Sequence, residues 1–186
     1  MVVTVGIDEV GRGCWAGPLV AGAVALAEPV AGLRDSKKLS KKRRETLTAE
    51  IYEKAVGTGL GWVWPSEIDA HGVSWAVKTA MERALAEITV PYDELIIDGN
   101  INYFASNPKA QAVIKADDSV PAVSAASIIA KVARDNYMAE LGEKYAGYGF
   151  DKHVGYGTAA HIAALKLLGV SDIHRLSYKP VKALLA

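Results

Sequence analysis

The chain has one cysteine, Cys14, so no disulfide can form within it. A reducing compartment, the cytoplasm, is the expected setting. It has no excess of charge, because 21 Lys and Arg balance 21 Asp and Glu. Bulk charge therefore gives no case for nucleic-acid binding, and any basic surface has to be local. No apolar run reaches the ~18 residues of a membrane-spanning helix. The N-terminus enters a strand pattern directly, so neither a signal peptide nor an anchor is expected. A Gly-x-x-x-x-Gly-Lys-Ser/Thr loop is missing, which argues against a P-loop enzyme. No Ser-His-Asp order stands out, and no Cys/His spacing suits zinc. Repeats, low-complexity segments and linkers are also missing. What is there is 186 residues, 51% of them hydrophobic, enough for one domain with a sizeable core.

The stretch that organises the chain is Val5–Val24. An apolar run, Val2 to Ile7, meets the adjacent acids Asp8 and Glu9. Gly11-Arg12-Gly13 follows, then Ala16-Gly17-Pro18 and a second apolar run, Leu19–Leu26. This reads as strand, functional loop, strand. Neighbouring side chains on a strand point to opposite faces. Asp8 and Glu9 therefore share a site only if the strand ends or bends there. Acids beside an Arg framed by glycines suit a metal and phosphate-ester site. The plain alternative is a surface hairpin with an acidic tip. Cys14 reads as a small packing residue.

Leu33–Arg44 is the only strongly basic cluster, and Lys37 is its candidate phosphate contact. Ser40 is a plausible N-cap for a helix over 41–54. Gly57–Trp64 reads as a strand, Ser66–Asp69 as a short helical turn, and Gly72–Ile88 as an amphipathic helix. Trp62, Trp64 and Trp75 read as core or core edge, and His71 has no visible partner. Glu94–Asp98 is again an apolar strand ending in an acid, with Gly99 after it, and sites form at the carboxyl ends of such strands. Ala112–Ala116 is strand-like and leads to Asp117-Asp118, after which Pro121 breaks the pattern. Ser124–Tyr137 predicts a helix on which Lys131 and Asp135, four apart, can pair. Ala146–Gly157 reads as a loop rich in Gly and aromatics. Thr158 caps a helix over 159–168, which Gly169 stops. The element order predicts an α/β fold, a mixed central sheet flanked by helices.

Asp8, Glu9, Asp98 and Asp117 are all hard oxygen ligands, so Mg2+ or Mn2+ suits them better than zinc. Four clustered carboxylates repel one another unless cations neutralise them. One shared Asp could hold two ions ~4 Å apart and so serve phosphodiester hydrolysis.

Gly6-Ile7-Asp8-Glu9-Val10-Gly11-Arg12-Gly13 with Ala16-Gly17-Pro18 resembles the signature of the ribonuclease HII family, the type 2 ribonucleases H. The resemblance continues at Asp35-Ser36-Lys37-Lys38-Leu39, Ile97-Asp98-Gly99-Asn100 and Lys115-Ala116-Asp117. It runs on through Val123–Asp135, Gly155-Tyr156-Gly157-Thr158 with His161, and His174-Arg175-Leu176-Ser177-Tyr178. The motifs come in family order and cover nearly the whole chain. The resemblance implies a single RNase H-like catalytic domain over 1–186, with a C-terminal helical segment from about 158 packed on it. It implies cleavage of RNA in RNA–DNA hybrids and incision on the 5′ side of single ribonucleotides embedded in DNA, leaving 3′-hydroxyl and 5′-phosphate ends. Two divalent ions, Mg2+ or Mn2+, are implied in the reacting complex. Asp8, Glu9, Asp98 and Asp117 are the implied catalytic ligands. Gly11, Arg12 and Gly13 would read the ribose 2′-hydroxyl, and Tyr156 would pack on the following sugar. Lys37 joins them as a substrate contact, and Asp135 as a support behind the site. A monomer with no membrane partner is the expected state.

This chain departs from the family pattern in three places. Cys14-Trp15 stands where members often carry Pro-Leu, Asp118 follows Asp117, and Val-Ser-Ala-Ala-Ser replaces a more Ala-rich run. The Gly-Arg-Gly form argues against ribonuclease HIII, which has Lys for Arg and an extra N-terminal domain. Only five residues precede Gly6, so no such domain is expected. Two other classes stay open on the residues alone: a non-catalytic nucleic-acid-binding module, and a metalloenzyme acting on small phosphate esters.

Overall fold

A computed structural model describes residues 2–28 and 30–185; the ends of the expected 1–186 domain lie outside the described residues. Among the described residues, five strands form one sheet in the order β3-β2-β1-β4-β5. They are β1 Thr4–Val10, β2 Leu19–Leu26, β3 Gly57–Val63, β4 Glu94–Asp98 and β5 Ala110–Val113. β1–β2 and β2–β3 are antiparallel, while β1–β4 and β4–β5 are parallel. The sheet is mixed, as expected.

Helices cover both faces. α5, Pro121–Lys144, crosses one face over β1 and β2. α3, Val73–Ala86, crosses the other over β2 and β3. Sheet glycines let both come close. A Cβ on Gly6 or Gly22 would collide with the α5 backbone, and one on Gly61 with the α3 backbone. The α3 face buries Val5, Ile7, Leu95 and Ile97 against Val77, Ala80 and Met81. Truncating such a side chain to Ala costs about 2–5 kcal/mol in a filled core. α1, Lys41–Lys54, is capped by Ser40 Oγ, which accepts from Arg43 N–H at 3.2 Å, and buries Leu47 and Ile51. α2, Pro65–His71, and the short α4, Ala116–Ser119, precede α3 and α5. A turn, α6, Phe150–His153, then α7, Ala159–Leu168, and α8, Lys179–Lys182, complete the chain.

Several local expectations change. β1 does not stop at Ile7; it stays paired with β2 as far as Val10, although its pairing with β4 ends at Ile7. Pro121 opens α5 rather than breaking the chain, since a first-turn residue needs no N–H partner. The expected Ala146–Gly157 loop contains α6. Trp64 and Trp75 are exposed; Trp64 stacks on Trp62, and His71 lies 4.3 Å from the Trp75 ring. Among the described residues no helix is long and apolar enough to cross a membrane.

Candidate active site

Alternation along β1 decides where its two acids go. Gly6 faces α5, so Asp8, two residues on, faces α5 as well. Its partner across the β1–β2 pair, Gly22, faces the same helix. Val5 and Ile7 face α3, and Glu9 continues that row. The two acids therefore sit on opposite faces, and no bend brings them together.

Asp8 meets two acids from other elements. Oxygens of Asp8, Asp98 and Asp117 lie within 4.8 Å of one another. Asp98 ends β4, where its Oδ1 accepts from Ala116 N–H at 2.8 Å. Asp117 comes from the α4 turn and not from a strand end, because β5 stops at Val113. Ser124 Oγ on α5 fixes that turn by donating to the Asp117 carbonyl at 2.6 Å. Asp118 points elsewhere and pairs with Lys38 Nζ at 2.8 Å. Asp117 is thus the acid that enters the cluster.

Burial, then Glu9, Asp98 and Asp117, push the Asp8 carboxyl well above its ordinary range, against a lowering hydrogen bond from Ser127. Burial and Asp98 raise Asp117, with Lys37 acting against them. Burial raises Glu9 too, and Arg12 opposes the shift. Three carboxylates this close, one of them strongly disfavoured as an anion, call for a cation. The donor set is all carboxylate oxygen, which suits a hard divalent ion. Asp8, Asp98 and Asp117 thus form a buried cluster fitted to such an ion. Glu9 stands outside that group. It lines a second cleft with Arg12, Asp98 and Asn100, so Asp98 borders both sides.

Of the expected substrate contacts, Lys37 borders this cluster and Arg12 borders Glu9. Lys37 Nζ lies 3.6 Å from Asp117 Oδ2 and 3.9 Å from Asp35 Oδ1, across a cleft of ≈ 530 Å³. Arg12 NH1 lies 3.9 Å from Glu9 Oε1, and its side chain is half exposed. Gly13 faces open space, with nothing within 4 Å of where a Cβ would stand. Gly11 does not; its φ is +90°, and a Cβ there would collide with Arg134. Tyr156 is exposed. Asp135 is engaged by Lys131 Nζ at 2.8 Å and Arg44 NH2 at 3.7 Å, the helix pairing its spacing allowed.

Several buried polar residues within the quoted motifs make contacts that the sequence does not disclose. Ser127 Oγ lies 2.9 Å from Ser36 Oγ beside Asp8. Ser124 and Ser127 are the serines of the atypical Val-Ser-Ala-Ala-Ser run. Two hydroxyls three apart on a buried helix face were the available signal. Arg134 and Arg175 are fully buried cations bonded to backbone carbonyls. His153, His161 and His174 form a buried group. His174 Nδ1 accepts from Ser171 N–H at 3.0 Å, so its Nε2 carries the proton toward His161 Nε2, 3.0 Å away. His161 is left to donate from Nδ1 to the Tyr156 carbonyl at 3.0 Å. Burial and the neighbouring His161 hold His174 down to about 4, so the relay stays neutral.

Known proteins resemble this chain in sequence and in fold. The family model for ribonuclease HII matches residues 5–181. A ribonuclease HII of Halorhodospira halophila is 49% identical over 183 residues, covering 97% of this chain and 94% of that protein. The crystal structure of ribonuclease H2 from Pyrococcus horikoshii OT3 matches with a TM-score of 0.84 at 27% identity, over 98% of this chain and 97% of that one. The ribonuclease HII of Archaeoglobus fulgidus, solved in complex with PCNA, matches with a TM-score of 0.79 at 31% identity, over 96% of each chain.

Proposed function

Since the chain belongs to the ribonuclease HII family, whose activity is cleavage of RNA in RNA–DNA hybrids and at embedded ribonucleotides, we propose how its own residues carry that reaction. Asp8, Asp98 and Asp117 would hold a divalent ion, and Glu9, with Asp98 lining its cleft, would serve a second. Bound Mg2+ or Mn2+ would neutralise the acids and supply Lewis-acid assistance to phosphodiester hydrolysis. The observation that carries this reading is the three-acid cluster opening beside the Gly-Arg-Gly loop.

The chain's residues orient the substrate. Gly13 leaves the loop backbone open to a ribose, whose 2′-hydroxyl distinguishes RNA from DNA. Tyr156, exposed on its own loop, lies against the next sugar, where a deoxyribose packs and an extra hydroxyl crowds the ring. Lys37 contacts a phosphate near Asp117. Asp135 supports α5 behind these groups through its ion pairs. The whole is read as one catalytic domain. Arg175, on the C-terminal segment, bonds to the Gly17 carbonyl at 3.0 Å and 2.9 Å, which supports packing of that segment on the rest.

The test is a DNA duplex containing one ribonucleotide, incubated with the protein and Mg2+, with the ends mapped. Incision 5′ of the ribonucleotide, leaving 3′-hydroxyl and 5′-phosphate ends, is expected. Incision on the other side, or full activity in chelator, would overturn the assignment.

A further inference from the structure

Two loops carry the groups assigned to the ribonucleotide, residues 11–18 and residues 154–157. They are far apart in sequence yet bonded to each other. Trp15 N–H donates to the Gly155 carbonyl at 2.8 Å. The Trp15 indole occupies the place where a Cβ on Gly157 would stand. Arg134 reaches both loops from α5. Its Nε donates to the Pro18 carbonyl at 2.8 Å, NH2 to the Ala16 carbonyl at 3.2 Å, and NH1 to the Val154 carbonyl at 2.9 Å.

Arg134 is fully buried, and among the described residues its polar partners are these carbonyls and no carboxylate. Burying an unpaired cation is expensive unless its donors are all used. A guanidinium that pairs with no acid and grips three carbonyls is placed to fix backbone. Its planar fork can do so; an ammonium, a point charge on a flexible stem, cannot hold three acceptors on two loops. On the Tyr156 side, burial and then the Cys14 thiol raise the phenol above its ordinary range, so the hydroxyl end of the ring lies by the first loop.

We propose that Arg134 and Trp15 are positioning residues that lock the Gly-Arg-Gly loop to the Tyr156 loop. The lock makes them one rigid reader of a ribose–deoxyribose junction. The inference rests on the assignment of Tyr156 to the following sugar. It concerns the spacing between two contacts, because a misplacement of about 1 Å can cost about 100-fold in rate. A long hybrid presents ribose at each position and does not use the deoxyribose contact. Loss of the lock therefore falls on embedded ribonucleotides.

The experiment measures kcat/KM on two substrates with Mg2+, a DNA duplex with one embedded ribonucleotide and a long RNA–DNA hybrid. The variants are Arg134→Lys, Trp15→Ala, Tyr156→Ala, and each of the first two combined with Tyr156→Ala. The expected result is that the ratio of embedded to hybrid activity falls about tenfold or more in each single variant. The combined variants should fall no further than Tyr156→Ala alone. General weakening of the fold lowers both activities and leaves the ratio in place. Trp15→Ala leaves the buried cation intact, so it carries the test even if Arg134→Lys does not fold. An unchanged ratio in Trp15→Ala beside a fallen ratio in Tyr156→Ala overturns this inference alone. An unchanged ratio in Tyr156→Ala overturns the Tyr156 assignment as well.

Discussion

Gly11 and Gly13 frame Arg12 and look equivalent, yet the structure separates them. Gly11 has φ +90°, and a Cβ there would collide with Arg134 Nε, with Arg134 Cδ 3.0 Å away. Forcing an L-residue into that left-handed region costs about 1–2 kcal/mol. Overpacking against a buried group that cannot withdraw costs about 1–3 kcal/mol more. In a chain of this length, each ~1 kcal/mol lowers Tm by roughly 2–4 °C. Gly11→Ala should therefore melt at least about 4 °C lower. Gly13 has nothing within 4 Å and no positive φ, so Gly13→Ala should keep its stability to within about 0.5 kcal/mol. Its loss should appear in catalysis, because the new methyl stands where a ribose is proposed to approach. The assay pairs thermal melts followed by circular dichroism with single-turnover cleavage of a long hybrid and of a singly substituted duplex. Gly13→Ala should lose about tenfold or more on both substrates without a shift in Tm. A Gly11→Ala melt within about 2 °C of the parent protein would refute the wedge against Arg134. Parental rates in Gly13→Ala would remove that face from the substrate.

Asp98→Asn should abolish Mg2+-dependent cleavage while the metal-free protein melts no lower, since one anion leaves a repelling group; retained turnover would exclude Asp98 as a ligand. Lys37→Ala should weaken hybrid binding and reduce the log–log salt slope by about 1, as one phosphate contact is lost; an unaltered slope in binding titrations removes Lys37 from the interface. In chelator, the raised carboxyls of Asp8, Glu9 and Asp117 bind protons in the folded state that the unfolded chain has already released. Stability should thus be highest near the ordinary carboxylate range and fall as pH rises through the raised values. Asp8→Asn should flatten that decline, and identical Tm-against-pH curves for the two proteins would contradict it.

The parts legible in the sequence were those written in local chemistry. α1 and α7 start and stop where Ser40, Thr158 and Gly169 predict, because caps act over one turn. β2 and β4 follow from uninterrupted apolar runs. The acids were visible because two apolar runs each lead into a carboxylate with glycine close behind. Three-dimensional consequences were less so. That Glu9 lies across the sheet from Asp8 depends on β1 remaining paired to Val10, which the flanking glycines disguise. Asp117 arrives on a helical turn too short to show a period. Arg134 and Arg175 satisfy their charge with carbonyls, which every residue possesses, so no spacing betrays them.

The clasp on the recognition loop has a consequence for synthesis. Arg175 NH1 reaches the Arg12 carbonyl at 3.1 Å and Tyr178 Oη reaches it at 2.6 Å, across separations of 163 and 166 residues. Gly17 N–H likewise donates to the Ile173 carbonyl at 2.9 Å. Contacts of such long range form late, since the chain between them must be ordered or closed first. On the ribosome, all five strands emerge before residue 173 does. A nascent chain can hold the acids of the sheet while the loop proposed to read ribose is still unclasped. That loop is thus the last part of the proposed site to be fastened as the molecule is made, and a ribosome stalled just short of residue 173 would display the sheet with the loop unfastened.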